Sequence, residues 1–256
     1  MTPALELRDA VVHRAGRPVL DHVGLAAARG ELLGVVGANG AGKTTLLRAA
    51  LGLAALDAGQ ALLGGRPVRE LSEAERAALC AYLPQERRVG WNLPAWRVAS
   101  LGAFDRPPAV AREMAYAALA RVGLAGLESR GVLDMSGGER ARALLARLLV
   151  SGAPLLVADE PAAGLDPDAQ LLALDLFREE ATRGAAVVMT LHDLGLAARA
   201  CDRLVVLHGG RVVADGLPAE ALRPEVLAQA FGLEGALQAS PHGPVLAAGR
   251  RPSGRP

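Results

Sequence analysis

Lysine is almost absent from this 256-residue chain: of 28 basic residues 27 are arginine, and Lys43 is the one exception. A sequence that uses arginine for every other positive side chain keeps an ammonium here for its shape. A compact charge on a thin stem threads to phosphate oxygens where a planar guanidinium fits less well. Net charge is nearly absent too, at a formal +1, which argues against a protein that coats nucleic acid. Cysteine is limited to Cys80 and Cys201, far apart and without C-x-x-C spacing, so two buried free thiols are expected rather than a disulfide. No apolar run reaches the roughly 18 residues that a membrane span needs. Met1 to Glu6 also lacks a basic region followed by an apolar one, so the expectation is a cytosolic protein whose membrane role comes through a partner.

What is present is a large apolar fraction, 51%, enough for one full core, so the length fits one large domain or a domain carrying an inserted subdomain. The organising stretch is Gly37-Ala38-Asn39-Gly40-Ala41-Gly42-Lys43-Thr44-Thr45, which fits the phosphate-loop pattern G-x-x-x-x-G-K-[ST]. Glycines let the backbone curl so that successive N–H groups point at an anion. Glu31 to Val36 reads as a buried strand before it and Leu46 to Leu51 as a helix after it, placing the loop at a helix N-terminus, where phosphate is stabilised.

Along the chain, residues 4 to 36 alternate short apolar runs with turns and predict an antiparallel β layer leading into a parallel core. Gly59 to Gly65 adds a strand to that layer, and Ser72-Glu73-Ala74-Glu75 has capping-box spacing. Cys80 to Leu83 is a strand ending at Pro84-Gln85. Residues 86 to 134 change character, with Pro and Gly punctuation and then an Ala-rich helical pattern from Pro108 to Val122. Trp91 and Trp96 fall here, either as core residues or as the lining of a partner groove. Met135-Ser136-Gly137-Gly138-Glu139 then opens a helix to about Val150 and offers a second anion site. Pro154 to Ala158 is apolar throughout, as in a central parallel strand, and releases Asp159-Glu160 at its carboxyl end. Asp166 is placed to cap a helix beginning at Pro167, Ala185 to Thr190 is another core strand releasing His192-Asp193, and 204–214 is a hairpin about Gly209-Gly210. From Ser240 to Pro256 the composition predicts a disordered tail.

Taken in order, the phosphate loop, Gln85, Ser136 to Glu139, Leu155 to Glu160, Gly164-Leu165-Asp166 and His192 resemble the ATP-binding-cassette ATPases over nearly the whole chain. The resemblance implies an α/β P-loop NTPase fold over 1–239, with a mixed or parallel core sheet and an N-terminal antiparallel β subdomain. It divides the chain into a core at 1–85 and 140–239 and an inserted helical subdomain at 86–139. It implies ATP on Gly37 to Thr45, with Lys43 on the β/γ oxygens, and Mg²⁺ held by Thr44, Asp159 and Gln85. Glu160 would polarise the attacking water, and His192 would bridge γ-phosphate, water and the opposite subunit. Ser136, Gly137, Gly138 and Glu139 would close over an ATP held by a second copy, with Asp166 lining the contact. The signature reads Met-Ser-Gly-Gly-Glu where the family usually has Leu-Ser-Gly-Gly-Gln. The aromatic that usually stacks on adenine is missing, with His13 or Arg14 in its region.

Tyr82 to Pro94 and Leu191 to Arg199 resemble the importer branch for ferric siderophores, haem and cobalamin. That implies an ATPase subunit on the cytoplasmic face of the membrane, soluble when isolated. Its partners would be a second copy, integral-membrane permease subunits and, indirectly, a substrate-binding protein, with no nucleic acid. A cassette for another cargo and a soluble non-transport cassette remain open. A P-loop kinase or GTPase leaves Gln85, Ser136 to Glu139 and His192 without a reason.

Overall fold

The computed structural model describes residues 2–86 and 89–250. Two sheets share the work. The outer, four-stranded sheet contains β1 (Leu5–Arg14) and β2 (Arg17–Ala27), and the core sheet begins with β3 (Leu32–Val36). Helix α1 (Lys43–Ala50) follows the glycine loop, and β4 (Ala58–Leu63) and β5 (Arg66–Pro67) complete the outer sheet in the antiparallel order β2-β1-β4-β5. Helix α2 (Glu73–Leu79) starts with the capping box read from the sequence: Ser72 Oγ accepts from Glu75 N, and the Glu75 carboxylate accepts from Ser72 N. Those bonds and Arg66 hold the Glu75 carboxyl down at about 2.

The chain then gives β6 (Cys80–Leu83), α3 (Ala95–Ser100), α4 (Pro108–Arg121), α5 (Gly137–Val150), β7 (Leu155–Asp159), α6 (Pro167–Thr182), β8 (Ala186–Thr190) and α7 (Leu194–Ala200). β9 (Arg203–His208) and β10 (Arg211–Gly216) form the expected hairpin, followed by α8 (Pro218–Ala221) and α9 (Pro224–Phe231). The core sheet runs β10-β9-β3-β8-β7-β6, parallel except for β10.

The period-two geometry of a strand explains why the central segments are apolar throughout. Leu33, Val35, Leu155, Val157 and Val188 enter a core shared with α1 and the outer sheet, while Leu32, Val36, Leu156, Ala158, Val187 and Met189 enter a core shared with α5, α6 and α7. Both faces are covered, so alternation has no polar side to show. Arg203 links the layers: it pairs with Glu31 at 3.0 Å and Asp215 at 2.8 Å and donates to the Ala26 carbonyl at 2.6 Å.

The tail is a correction. Val245–Arg250 form β12, paired antiparallel over six positions with β11 (Leu233–Gln238), where the sequence predicts disorder from Ser240. Leu237 and Leu246 pack on the core side of this hairpin, which supplies the apolar contact that the tail's composition hides. Residues 251–256 of that expectation lie outside the described ones, as do Arg87 and Arg88 of the importer-like segment. Of the tryptophans, Trp91 is 77% exposed, and Trp96 is half-buried with Arg97 and Arg112 guanidiniums 5.3 and 5.0 Å from its ring. Both cysteines are free thiols, Cys201 buried and Cys80 half-buried, and burial pushes them up to about 12 and about 11.

Phe177 on α6 is fully buried in the second core. Phe177→Ala should lower the unfolding free energy by about 3–5 kcal/mol. Urea denaturation followed by circular dichroism measures this, and an unchanged midpoint would show that α6 does not anchor that core.

Candidate nucleotide site

The loop between β3 and α1 is shaped by what a side chain would strike. A Cβ at Gly37 would run into the Leu207 carbonyl oxygen, and one at Gly42 would lie 2.7 Å from the Val19 carbonyl oxygen, where the backbone also has φ +104°. The close approach and left-handed backbone of that last turn therefore call for glycine. Lys43 follows as the first residue of α1. Its ammonium donates to the Gly37 carbonyl at 2.8 Å and the Ala38 carbonyl at 3.3 Å, so the side chain folds back across its own loop. Lys43 is only 6% exposed, and burial pulls its pKa below the usual lysine range, while Glu160 and Asp159 push the other way.

Those two carboxylates stand at the end of β7. Asp159 is fully buried; its Oδ1 accepts from the Thr190 hydroxyl at 2.6 Å, and its Oδ2 has no hydrogen-bond partner among the described residues. Thr190 Oγ1 in turn accepts from the Glu160 backbone N–H at 2.8 Å. Glu160 is held at φ +53°, a left-handed conformation that costs a non-glycine residue about 1–3 kcal/mol and clusters at functional sites. Its Oε1 lies 2.5 Å from His192 Nε2, while Asp193 caps α7 by accepting from Leu196 N at 2.8 Å.

Val19, Asn39 to Thr45, Gln85, Glu160 and His192 line one cleft of about 440 Å³. Asp159, the residue before Glu160, is fully buried and within electrostatic reach of Lys43. The cleft thus joins a cationic loop at a helix N-terminus, a carboxylate–imidazole pair and a buried acidic oxygen, an arrangement suited to holding a polyphosphate and acting on water beside it. It does not include Ser136, Gly137, Gly138, Glu139 or Asp166. Ser136 and Glu139 make a capping box at the start of α5, with Glu139 Oε2 accepting from Ser136 N at 2.7 Å and Ser136 Oγ accepting from Glu139 N at 3.2 Å. Asp166 Oδ1 caps α6 by accepting from Ala169 N at 2.9 Å. Ser136, Gly137 and Asp166 are exposed.

The family model described as ABC transporter matches residues 20–163. The chain belongs to this family. It is 42% identical over 244 residues to a hemin import ATP-binding protein of Pseudomonas fluorescens, covering 93% of this chain and 96% of that protein. It is 40% identical over 242 residues to a cobalamin import ATP-binding protein of Halobacterium salinarum, covering 93% of this chain and 61% of the relative. Among solved structures, a dimeric ATP-binding cassette in a post-hydrolysis state with ADP and Pi shares the fold at TM-score 0.77 and 23% identity, over 84% of this chain and 98% of that one.

Within this cassette the two departures in the signature have a physical reading. Met135 is 4% exposed and fills the apolar position of the usual leucine, and Glu139 serves the capping box as well as glutamine does. The first hairpin supplies Val19 to the cleft, whereas His13 is tied to Asp57 by its backbone N–H at 2.6 Å and its ring Nδ1 at 3.0 Å. Thr190 is the site residue that motif reading passes over. Its one signal is a hydroxyl at the end of an otherwise apolar run.

Thr190→Val should strand the Glu160 N–H and cost about 1–3 kcal/mol of stability, with Thr190→Ser retaining most of it. Chemical denaturation of the three proteins measures this, and equal stability of the valine and serine forms would remove the hydroxyl from the account.

Proposed function

We propose that this chain is the ATP-hydrolysing subunit of a binding-protein-dependent importer, peripheral on the cytoplasmic face of the membrane, for haem, cobalamin or a ferric siderophore. The observation that carries the ATPase part is the meeting of Asn39 to Thr45, Gln85, Glu160 and His192 in one cleft, with buried Asp159 next to Glu160 in the chain. The hemin- and cobalamin-import names of the relatives support the cargo class.

In this reading Lys43 exchanges its carbonyl partners for β- and γ-phosphate oxygens, while the loop N–H groups and the α1 N-terminus hold the rest of the anion. The partnerless Asp159 Oδ2 fits a hard cation. Among the described residues no three His, Cys, Asp or Glu cluster to hold a metal, and in this reading phosphate oxygens share the coordination. Thr44, Gln85 and Asp159 are the residues that would hold Mg²⁺, whose chemistry there is to neutralise charge on the phosphates. Glu160 takes a proton from the attacking water, and His192, paired with it, steadies that carboxylate and faces the γ-phosphate.

Ser136 to Glu139 and Asp166, with Ser136, Gly137 and Asp166 exposed, stand apart from the cleft and so are free to close over ATP on a second copy. Two chains then sandwich two nucleotides head to tail, and loss of γ-phosphate lets them part, a population shift driven by differential binding. The division into a core at 1–85 and 140–239 with a helical subdomain at 86–139 belongs to this proposal, with the exposed Trp91 region receiving the permease.

Glu160→Gln should bind ATP and hydrolyse it at least about a hundredfold more slowly. From detergent-solubilised membranes with ATP and Mg²⁺ it should retain a multi-span membrane protein that the Lys43→Ala form does not. Copurification of a soluble complex alone would favour a non-transport cassette.

A further inference from the structure

A second cavity, about 270 Å³, opens where the end of α1 meets the outer sheet, and its walls include Gly52, Leu56, Gln60, Val68, Arg69 and Arg76. Its charged lining residues are of one sign, Arg69 and Arg76 with no acidic residue, and the Arg69 side chain is 81% exposed. Arg69 has only a loose approach to its exposed neighbour Glu70, at 3.8 Å. Arg76, on α2, is bound still less. Glu75 beside it is already taken by Ser72 and Arg66, and among the described residues no hydrogen bond or ion pair reaches the Arg76 guanidinium. Its Nε is fully buried without a partner, and its Nη1 lies 3.3 Å from where a Cβ would stand on Gly52, so the guanidinium is laid over that backbone at the cavity wall.

Arg76 as a whole is half-buried, but a buried N–H donor without an acceptor is uncommon in native proteins. The group that satisfies a guanidinium best is an oxyanion, taken in two parallel N–H···O bonds. The remaining walls, with Ala49, Leu56, Ala61 and Val68, are apolar and suit a short hydrocarbon body. We infer that this cavity binds a small organic oxyanion, a carboxylate or phosphate ester with a short apolar body, held on Arg76 with Arg69 and Gln60 as further donors. This site is separate from the nucleotide cleft, which shares none of its lining residues.

The test uses the full chain labelled with ¹⁵N-arginine and follows the Arg76 Nε–H resonance, assigned by its loss in Arg76→Leu. Butyrate, butyl phosphate and the neutral butyramide are the probes. At least one anion should shift the resonance saturably and butyramide should not; which anion does so separates the carboxylate from the phosphate source. Ala55→Phe, at the exposed rim of the cavity, should weaken the titration roughly tenfold or more and keeps the test decisive if Arg76→Leu does not fold. The inference is overturned if neither anion gives a saturable shift below about 10 mM, if butyramide matches the anions, or if Ala55→Phe leaves the titration unchanged.

Discussion

One hydroxyl holds the nucleotide cleft together. Thr190 donates to Asp159 and accepts from the Glu160 backbone, so the ends of β7 and β8 are tied at the point where both strands release their functional side chains. Without that bridge Asp159 is a fully buried carboxylate with no donor on either oxygen, and the Glu160 backbone N–H, in its left-handed residue, loses its acceptor. Because β3 lies next to β8, the same corner of the sheet fixes the start of the glycine loop, and the charged groups of the cleft all stand at the carboxyl ends of three neighbouring strands.

The electrostatics follow from that crowding. A buried ammonium is unstable alone, and the two carboxylates of β7 compensate it across the cleft. Part of the compensation is unspent, since Asp159 keeps one oxygen without a partner and the Lys43 ammonium is parked on carbonyls of its own loop. On the proposed function, this is where a polyphosphate and its cation would enter. Burial makes the interaction strong, because the opposing charges meet where water screens them little.

Much of this is legible in residue order. Gly37 to Thr45, the apolar run into Asp159-Glu160 and the Ser72 and Asp166 caps each couple a local rule to one place in the fold, so strand, loop and helix starts can be read directly. Two things cannot. Thr190 carries its role through a contact 31 residues away in sequence, and nothing at its own position distinguishes a bridging hydroxyl from an ordinary strand end. The β11–β12 hairpin defeats composition for a related reason: Leu237 and Leu246 are few, and their value lies in the core surface they meet, which is built by distant segments. The capping box at Ser136 has the same S-x-x-E spacing as the one at Ser72, with two glycines between its ends.

The solitary lysine has a practical side. Amine-directed reagents that rely on lysine side chains have one target in this protein, and that target sits 6% exposed at the end of the glycine loop with a depressed pKa. Side-chain amine coupling to a sensor surface or dye would therefore largely pass the folded protein by. On the proposed function the extent of Lys43 acylation would gauge how many molecules carry nucleotide, and a lysine-specific protease has one bond to cut, at the junction of the loop with α1.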